Sequence, residues 1–378
     1  MNKIFIWLAF LFLSLLLISF KSADWTSDDF TIKSLRKIYK KPSKYWPKPN
    51  VDKGVSFEEL STLKPSPINL NDETVREKVE LGKLLFFDAR LSGSNTISCA
   101  TCHDPKLHWS DGKEVAIGNE GLQNIRNSPS LENVWIYEKF FWDGRANSLE
   151  EQAEGPISAH NEMNQDLDVL PQKLKSIKGY LPYFEAAFGS SEVTNQRIFE
   201  SLATFQKSIV STETNFDRFL NGDSKALNDQ ELLGLHLFRT KARCMNCHNG
   251  SYFTNKDFHN IGLTEYGTNK QDLGMYNVTR KPEDVGKFKT PGLRNVMNTG
   301  PWFHNGSVTS MDSLMLLYNM GMPEHVIKPE QENDPLLPKN DKLVRGIMLS
   351  VLERKAIVAF LGALSSAPQQ ISQPRLPE

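Results

Sequence analysis

The sequence is sparing with several things. Only four of its 378 residues are cysteine. It has no excess of charge of either sign: Lys plus Arg is 44 and Asp plus Glu is 45, a formal net charge of -1. So even a balance argues against a general nucleic-acid binder, and no nucleic-acid partner is expected. Beyond the first twenty residues no apolar run is long enough to span a bilayer. Gly at 23 and Pro at 20 exclude a collagen-like or low-complexity chain. Few segments alternate with period two, which argues against an all-β fold. With 39% hydrophobic and 24% charged residues the chain is foldable and globular, and its length suits two ordinary domains.

The N-terminus breaks this pattern. Lys3 is followed by an apolar run from Ile4 to Phe20, about 17 residues long and at the short limit for a span. A basic residue before such a run reads as an export signal or an uncleaved membrane anchor, residues 1–23. A Lys in Phe20-Lys21-Ser22-Ala23 fits a cleavage site poorly, so both readings stand. Either way the remainder crosses a membrane.

Residues 24–70 are polar and contain Pro42, Pro47, Pro49, Pro65 and Pro67, an extended arm. A helical pattern starts at Asp72 with Val75, Val79 and Phe86 on one face. Ser148-x-x-Glu151, Asn228-x-x-Glu231 and Ser350-x-x-Glu353 match capping boxes. Thr194 can cap a helix carrying Ile198, Leu202, Phe205 and Ile209. Each half holds a Leu-Phe helix, then a cysteine pair, then long loops. The expectation is a mainly α protein with modules at 71–215 and 216–368 and a tail at 369–378.

Exported chains often use disulfides. Here Cys99-Ala-Thr-Cys102-His103 and Cys244-Met-Asn-Cys247-His248 consume all four cysteines as C-x-x-C-H, the attachment signature of c-type haem. Two thiols one turn apart add to the two haem vinyl groups, and the following His supplies the proximal imidazole. A zinc site would keep its pairs within a few tens of residues, and a redox disulfide would not account for the second His. Two covalent haems are expected.

Around these motifs stand LGKLLFFDARLS, RNSPSLEN, FFWDGRANSLEEQAEGPI, FDRFLNGD and KTPGLRNVMNTGPWFHNGS. In this order they resemble the bacterial di-haem cytochrome c peroxidase family, including its MauG-like branch, over about residues 70–365. The resemblance implies two cytochrome c-like domains with long loops and haems facing the domain interface. It implies that His103 is proximal to a peroxidatic iron and His248 to an electron-transfer iron. Trp142 matches a relay between the haems; as an ordinary residue it would be a packed interface aromatic. Glu162 matches the general acid/base, Gln152 the group that hydrogen-bonds peroxide, and Pro156 the pocket wall. A calcium ion between the haems would take the Asn127 side chain and the carbonyls of Thr299 and Pro301, although Asn127 also reads as a turn residue. His304 and Arg294 would meet haem propionates or the interface. His160, His236, His259 and His325 have no strong role.

Two positions depart from the family pattern. Asn119 stands where many members carry a His that caps the peroxidatic iron, and His108 is a poor substitute. Tyr318 stands where the ordinary peroxidases place a Met ligand of the second haem, as in the MauG-like pattern. Met311, Met315, Met320 or Met322 could serve instead, or the position could be open.

The leading expectation is a periplasmic peroxidase. It would reduce hydrogen peroxide with electrons from a small donor protein, a cytochrome c or a cupredoxin. A MauG-like enzyme oxidising residues of a partner protein is the first alternative. A di-haem electron carrier without peroxide chemistry is the second. Membrane anchoring and a homodimer are left open.

Overall fold

A computed structural model describes residues 26–27 and 30–378; the apolar segment 1–23 lies outside the described residues. Helices dominate. They are α1 (Ile32–Tyr39), α2 (Glu73–Phe87), α3 (Cys99–Cys102), α4 (Leu149–Ser158), α5 (Leu170–Ser176), α6 (Leu181–Phe188), α7 (Asn195–Ser208), α8 (Asn215–Leu220), α9 (Asp229–Arg239), α10 (Tyr276–Thr279), α11 (Met311–Met320) and α12 (Val351–Gly362). Among the described residues, strand is confined to two small antiparallel pairs. β1 (Thr26–Ser27) pairs with β2 (Phe30–Thr31), and β3 (Phe258–Asn260) pairs with β4 (Lys287–Lys289).

The helix starts follow local chemistry. Asp72, Ser148, Thr194, Asn228 and Ser350 all accept a backbone N–H of the first turn of their helices. Asn228/Glu231 and Ser350/Glu353 close as reciprocal capping boxes. The box at Ser148 closes on one side only. The Glu151 carboxylate reaches past Ser148 to the Asn147 backbone N–H, at 2.7 Å.

Two large apolar cores form, beside a small third cluster of Phe140, Ala146, Leu149 and Ala203. One gathers Leu81, Phe86, Trp109, Tyr180, Phe184 and Phe205 from the first half. The other gathers Phe216, Leu232, Phe238, Phe253 and Phe360 from the second, with Leu35 and Tyr39 of the arm. Each is built on one close helix pair, α2 on α7 and α9 on α12. The closeness has the same cause twice. A Cβ on Gly82 would lie 2.0 Å from the Ser201 carbonyl oxygen, and a Cβ on Gly234 would lie 2.0 Å from that of Ala356. Only glycine permits either approach.

The arm binds the second half. Tyr39 Oη lies 3.1 Å from His236 Nδ1, and the buried Arg239 donates to Pro47 O at 2.7 Å and pairs with Glu59. Asn246, between the second pair of cysteines, accepts from Asp52 N at 2.8 Å and donates to Asn50 O at 2.9 Å. At the other end the tail returns to the first half, where Arg90 donates to Pro377 O and Gly179 N to Glu378 O, both at 2.8 Å.

Candidate active site

One cavity of about 790 Å³ is lined by residues of both halves, including both C-x-x-C-H motifs. All four cysteines are free thiols, and burial pushes those of Cys99 and Cys244 up to about 12. The two histidines are held identically. His103 Nδ1 donates to Trp109 O and His248 Nδ1 to Phe253 O, each at 2.9 Å. The accepting residues are buried and sit at positive φ, 61° and 56°. That contact fixes the tautomer and leaves Nε2 as the ligating nitrogen. Burial pulls the His248 imidazole down to about 4 and that of His103 in the same direction, so both stay neutral as a metal ligand must. Free paired thiols one turn apart, each followed by an oriented neutral imidazole on a shared cavity, fit covalent haem at both places.

The halves also correspond beyond these motifs. Asn133 and Asn295 are both left-handed, φ 58° each, and each opens a short 3-10 turn. The Phe140–Ala146 bridge in the first half matches Trp302–Val308 in the second. Ser148 then caps α4, as Ser310 caps α11. Counting from these caps sets Pro156 and Tyr318 at the same helical position, and both line the cavity. Burial pushes the Tyr318 phenol upward, and its ring centroid is 6.3 Å from that of Phe303. Met311 and Met315 also line the cavity, whereas Met320 is 64% exposed and Met322 is buried away from it.

At the first motif, Gln152 and Pro156 reach the cavity one turn apart on α4. The chain then turns back: Met163 N donates to Pro156 O at 3.1 Å, which brings Glu162 onto the same wall. Burial raises the Glu162 carboxyl above its ordinary value, while a 2.7 Å hydrogen bond from Asn124 Nδ2 and the charge of Arg145 oppose it. Trp142 lines the cavity and donates from Nε1 to Asn127 O at 3.0 Å. Asn127, Thr299 and Pro301 all line it too. Both side-chain hydrogen bonds of Asn127 come from Nδ2, to Lys113 O and Glu114 O. Asn127 Oδ1 and the main-chain carbonyls of Thr299 and Pro301 are neutral oxygens, the type of donor a hard cation takes.

The remaining positions singled out in the sequence have these surroundings. Asn119 is buried but does not line the cavity; its N–H donates to Glu162 O at 2.7 Å. His108 has both ring nitrogens engaged, with Glu132 at 3.0 Å and Asn298 at 3.3 Å. Arg294 lines the cavity, yet its guanidinium is committed to Asp217, Ser251 O and Ser61 O, which leaves little for a propionate. His304 stacks on Phe288 with centroids 3.5 Å apart.

Two lining residues had no assigned role. His259 Nδ1 lies 2.5 Å from Asp341; burial lowers its pKa, but Asp341 and Cys247 lift it to about 10. Lys289, the last residue of β4, donates to Lys139 O at 3.2 Å and is pulled by burial down to about 7. Neither has a local sequence signal, since their partners are distant in the chain.

This is the arrangement of a c-type protein with two haem sites on one internal cavity. The family model for di-haem cytochrome c peroxidase matches residues 76–225. The methylamine utilization protein MauG of Methylorubrum extorquens is 40% identical over 304 residues, covering 80% of this chain and 82% of that one. The cytochrome-c peroxidase IdrP1 of Pseudomonas sp. (strain SCT) is 33% identical, covering 84% of this chain and 89% of its own. The crystal structure of a MauG-like protein associated with microbial copper homeostasis superposes with a TM-score of 0.71 at 27% identity, over 82% of this chain and 95% of that one. The chain belongs to the di-haem cytochrome c peroxidase and MauG family.

Proposed function

We propose that this protein is a periplasmic peroxidase that reduces hydrogen peroxide to water with two electrons from a small redox protein, a cytochrome c or a cupredoxin. The observation that carries the reading is Glu162, a half-buried carboxylate on the cavity wall that also holds Gln152 and the first C-x-x-C-H motif. Bound haem would supply the redox chemistry, with His103 holding the peroxidatic group and His248 the electron-transfer group. Gln152 hydrogen-bonds the bound peroxide. Glu162 takes the proton from one peroxide oxygen and returns it to the other as the O–O bond breaks. Trp142, on the wall of the cavity that both motifs share, would relay electrons between the two groups. A calcium ion held by Asn127, Thr299 and Pro301 would tie the two haem regions together.

One observation favours a MauG-like reading, in which oxidising equivalents are drawn from a partner protein. Tyr318 occupies the second-haem counterpart of Pro156, where a phenolate would favour ferric iron.

Glu162→Gln tests the first reading. Peroxide turnover with reduced small cytochrome c should fall at least about tenfold with haem content unchanged. Unaltered turnover would leave an electron carrier. No turnover by the parent protein, with a long-lived change of both haem spectra on adding peroxide, would favour the MauG-like reading.

A further inference from the structure

The segment following the first haem motif is a tight hairpin. Ala116 N donates to Arg126 O at 3.2 Å, Asn124 N to Ala116 O at 2.8 Å and Gly118 N to Leu122 O at 2.9 Å, with Ile117 bridged to Gln123. The hairpin lies against the Glu162 turn. A Cβ on Gly118 would meet Asn161 O at 2.2 Å and Glu162 Cα at 2.7 Å, and Asn119 N–H is bonded to Glu162 O. From this platform Asn124 Nδ2 donates to Glu162 Oε1 at 2.7 Å. The amide cannot turn around without loss, because its Oδ1 accepts from Ile125 N at 2.8 Å. Asn124 and Glu162 both line the cavity.

We propose that Asn124 is the positioning residue of the peroxide site: it holds Glu162 Oε1, so that Oε2 is the oxygen that carries the peroxide proton. The inference rests on the acid/base reading of Glu162. The same proton leaves one peroxide oxygen for Oε2 and passes to the other oxygen as the O–O bond breaks. The oxygen that receives it departs as one water, and the oxygen left behind becomes the second water with two electrons from the donor protein and two protons from solvent. Glu162 must be ionised to begin, and a donated N–H stabilises the ionised form. Three other groups bear on it. Arg145 faces it with positive charge, Cys102 approaches from the haem motif, and the exposed His160 on its own turn is bonded to Asn164. Arg126, at the hairpin base, is spent on Asp143 and Asp272.

The test is the pH profile of the reaction of ferric holoprotein with peroxide, for the parent, Asn124→Ala, Asn124→Asp and Glu162→Gln. Asn124→Ala should move the acid limb to higher pH and leave the alkaline plateau nearly unchanged. Asn124→Asp, which keeps the size and adds a like charge, should move it further, and it serves if the alanine variant fails to fold. An unmoved limb in a variant with full haem content would overturn the proposal, as would a loss equal at every pH. If Glu162→Gln reacts like the parent, the acid/base reading itself fails; if only Glu162→Gln is impaired, the Asn124 role alone fails.

Discussion

Trp142 and His304 occupy equivalent places in the two halves and are joined through one peptide unit's neighbours. The Asn127 carbonyl accepts from Trp142 Nε1 at 3.0 Å, and the Asn127 N–H donates to His304 O at 2.7 Å. The residue before each is left-handed, Phe141 at φ 63° and Phe303 at φ 70°. The residue expected to hold calcium is thus also the link between the proposed relay and the second half.

Trp142→Phe keeps an aromatic ring and removes the Nε1 donor. If Trp142 carries electrons, the variant should bind both haems normally but exchange electrons between them severalfold more slowly. Stopped-flow reduction of one haem by donor, followed at the other, measures this. An unchanged rate would reduce Trp142 to a packing residue.

The sixth ligand of the second haem gives a separate test. Tyr318, Met311 and Met315 all line the cavity, but only Tyr318 matches Pro156 in register. Tyr318→Phe should change the ferric electron paramagnetic resonance signal of one haem and raise that haem's potential, since a phenolate favours ferric iron. Met315→Leu should leave both properties alone. The opposite pattern would assign the ligand to methionine.

The haem motifs were legible in the sequence because covalent chemistry fixes their spacing. The helix starts were legible because a cap is made within four residues. Even there, the partner of Glu151 was not, as two neighbouring backbone amides compete for one carboxylate. The contacts that shape the site depend on residues brought together by folding. Nothing local marks Gly82 for Ser201, Asn124 for Glu162 or Asp217 for Arg294. The correspondence of Pro156 with Tyr318 was hidden for another reason. The two helices share a cap and a register but almost no side chains; the repeat shows in the segments before them, SPSLENV at 128–134 and TPGLRNV at 290–296, and stops at the helices themselves.

Arg126 is the buried charge that joins the halves most directly. Its Nη1 donates to Asp143 at 2.6 Å, and its Nε and Nη2 grip Asp272 at 2.7 and 2.9 Å. The side chains are only 12%, 6% and 6% exposed. Arg126→Leu would leave Asp272 buried without its cation, while Asp143 keeps Arg145 at 3.1 Å, at a cost of about 3–5 kcal/mol. Thermal unfolding at neutral pH should show that loss. The Asp272 carboxyl is penalised by burial, yet Arg126 holds it below the ordinary range. A depressed folded-state pKa gives stability that is present above the unfolded value and lost as pH falls through the folded one. The parent should therefore lose this contribution below about pH 4. Arg126→Leu should lose less on the same descent, because protonation relieves the unpaired Asp272 carboxylate. Melting curves for both proteins between neutral and acid pH decide it. Parallel losses would mean that the acid sensitivity lies elsewhere and that Arg126 is not the clamp.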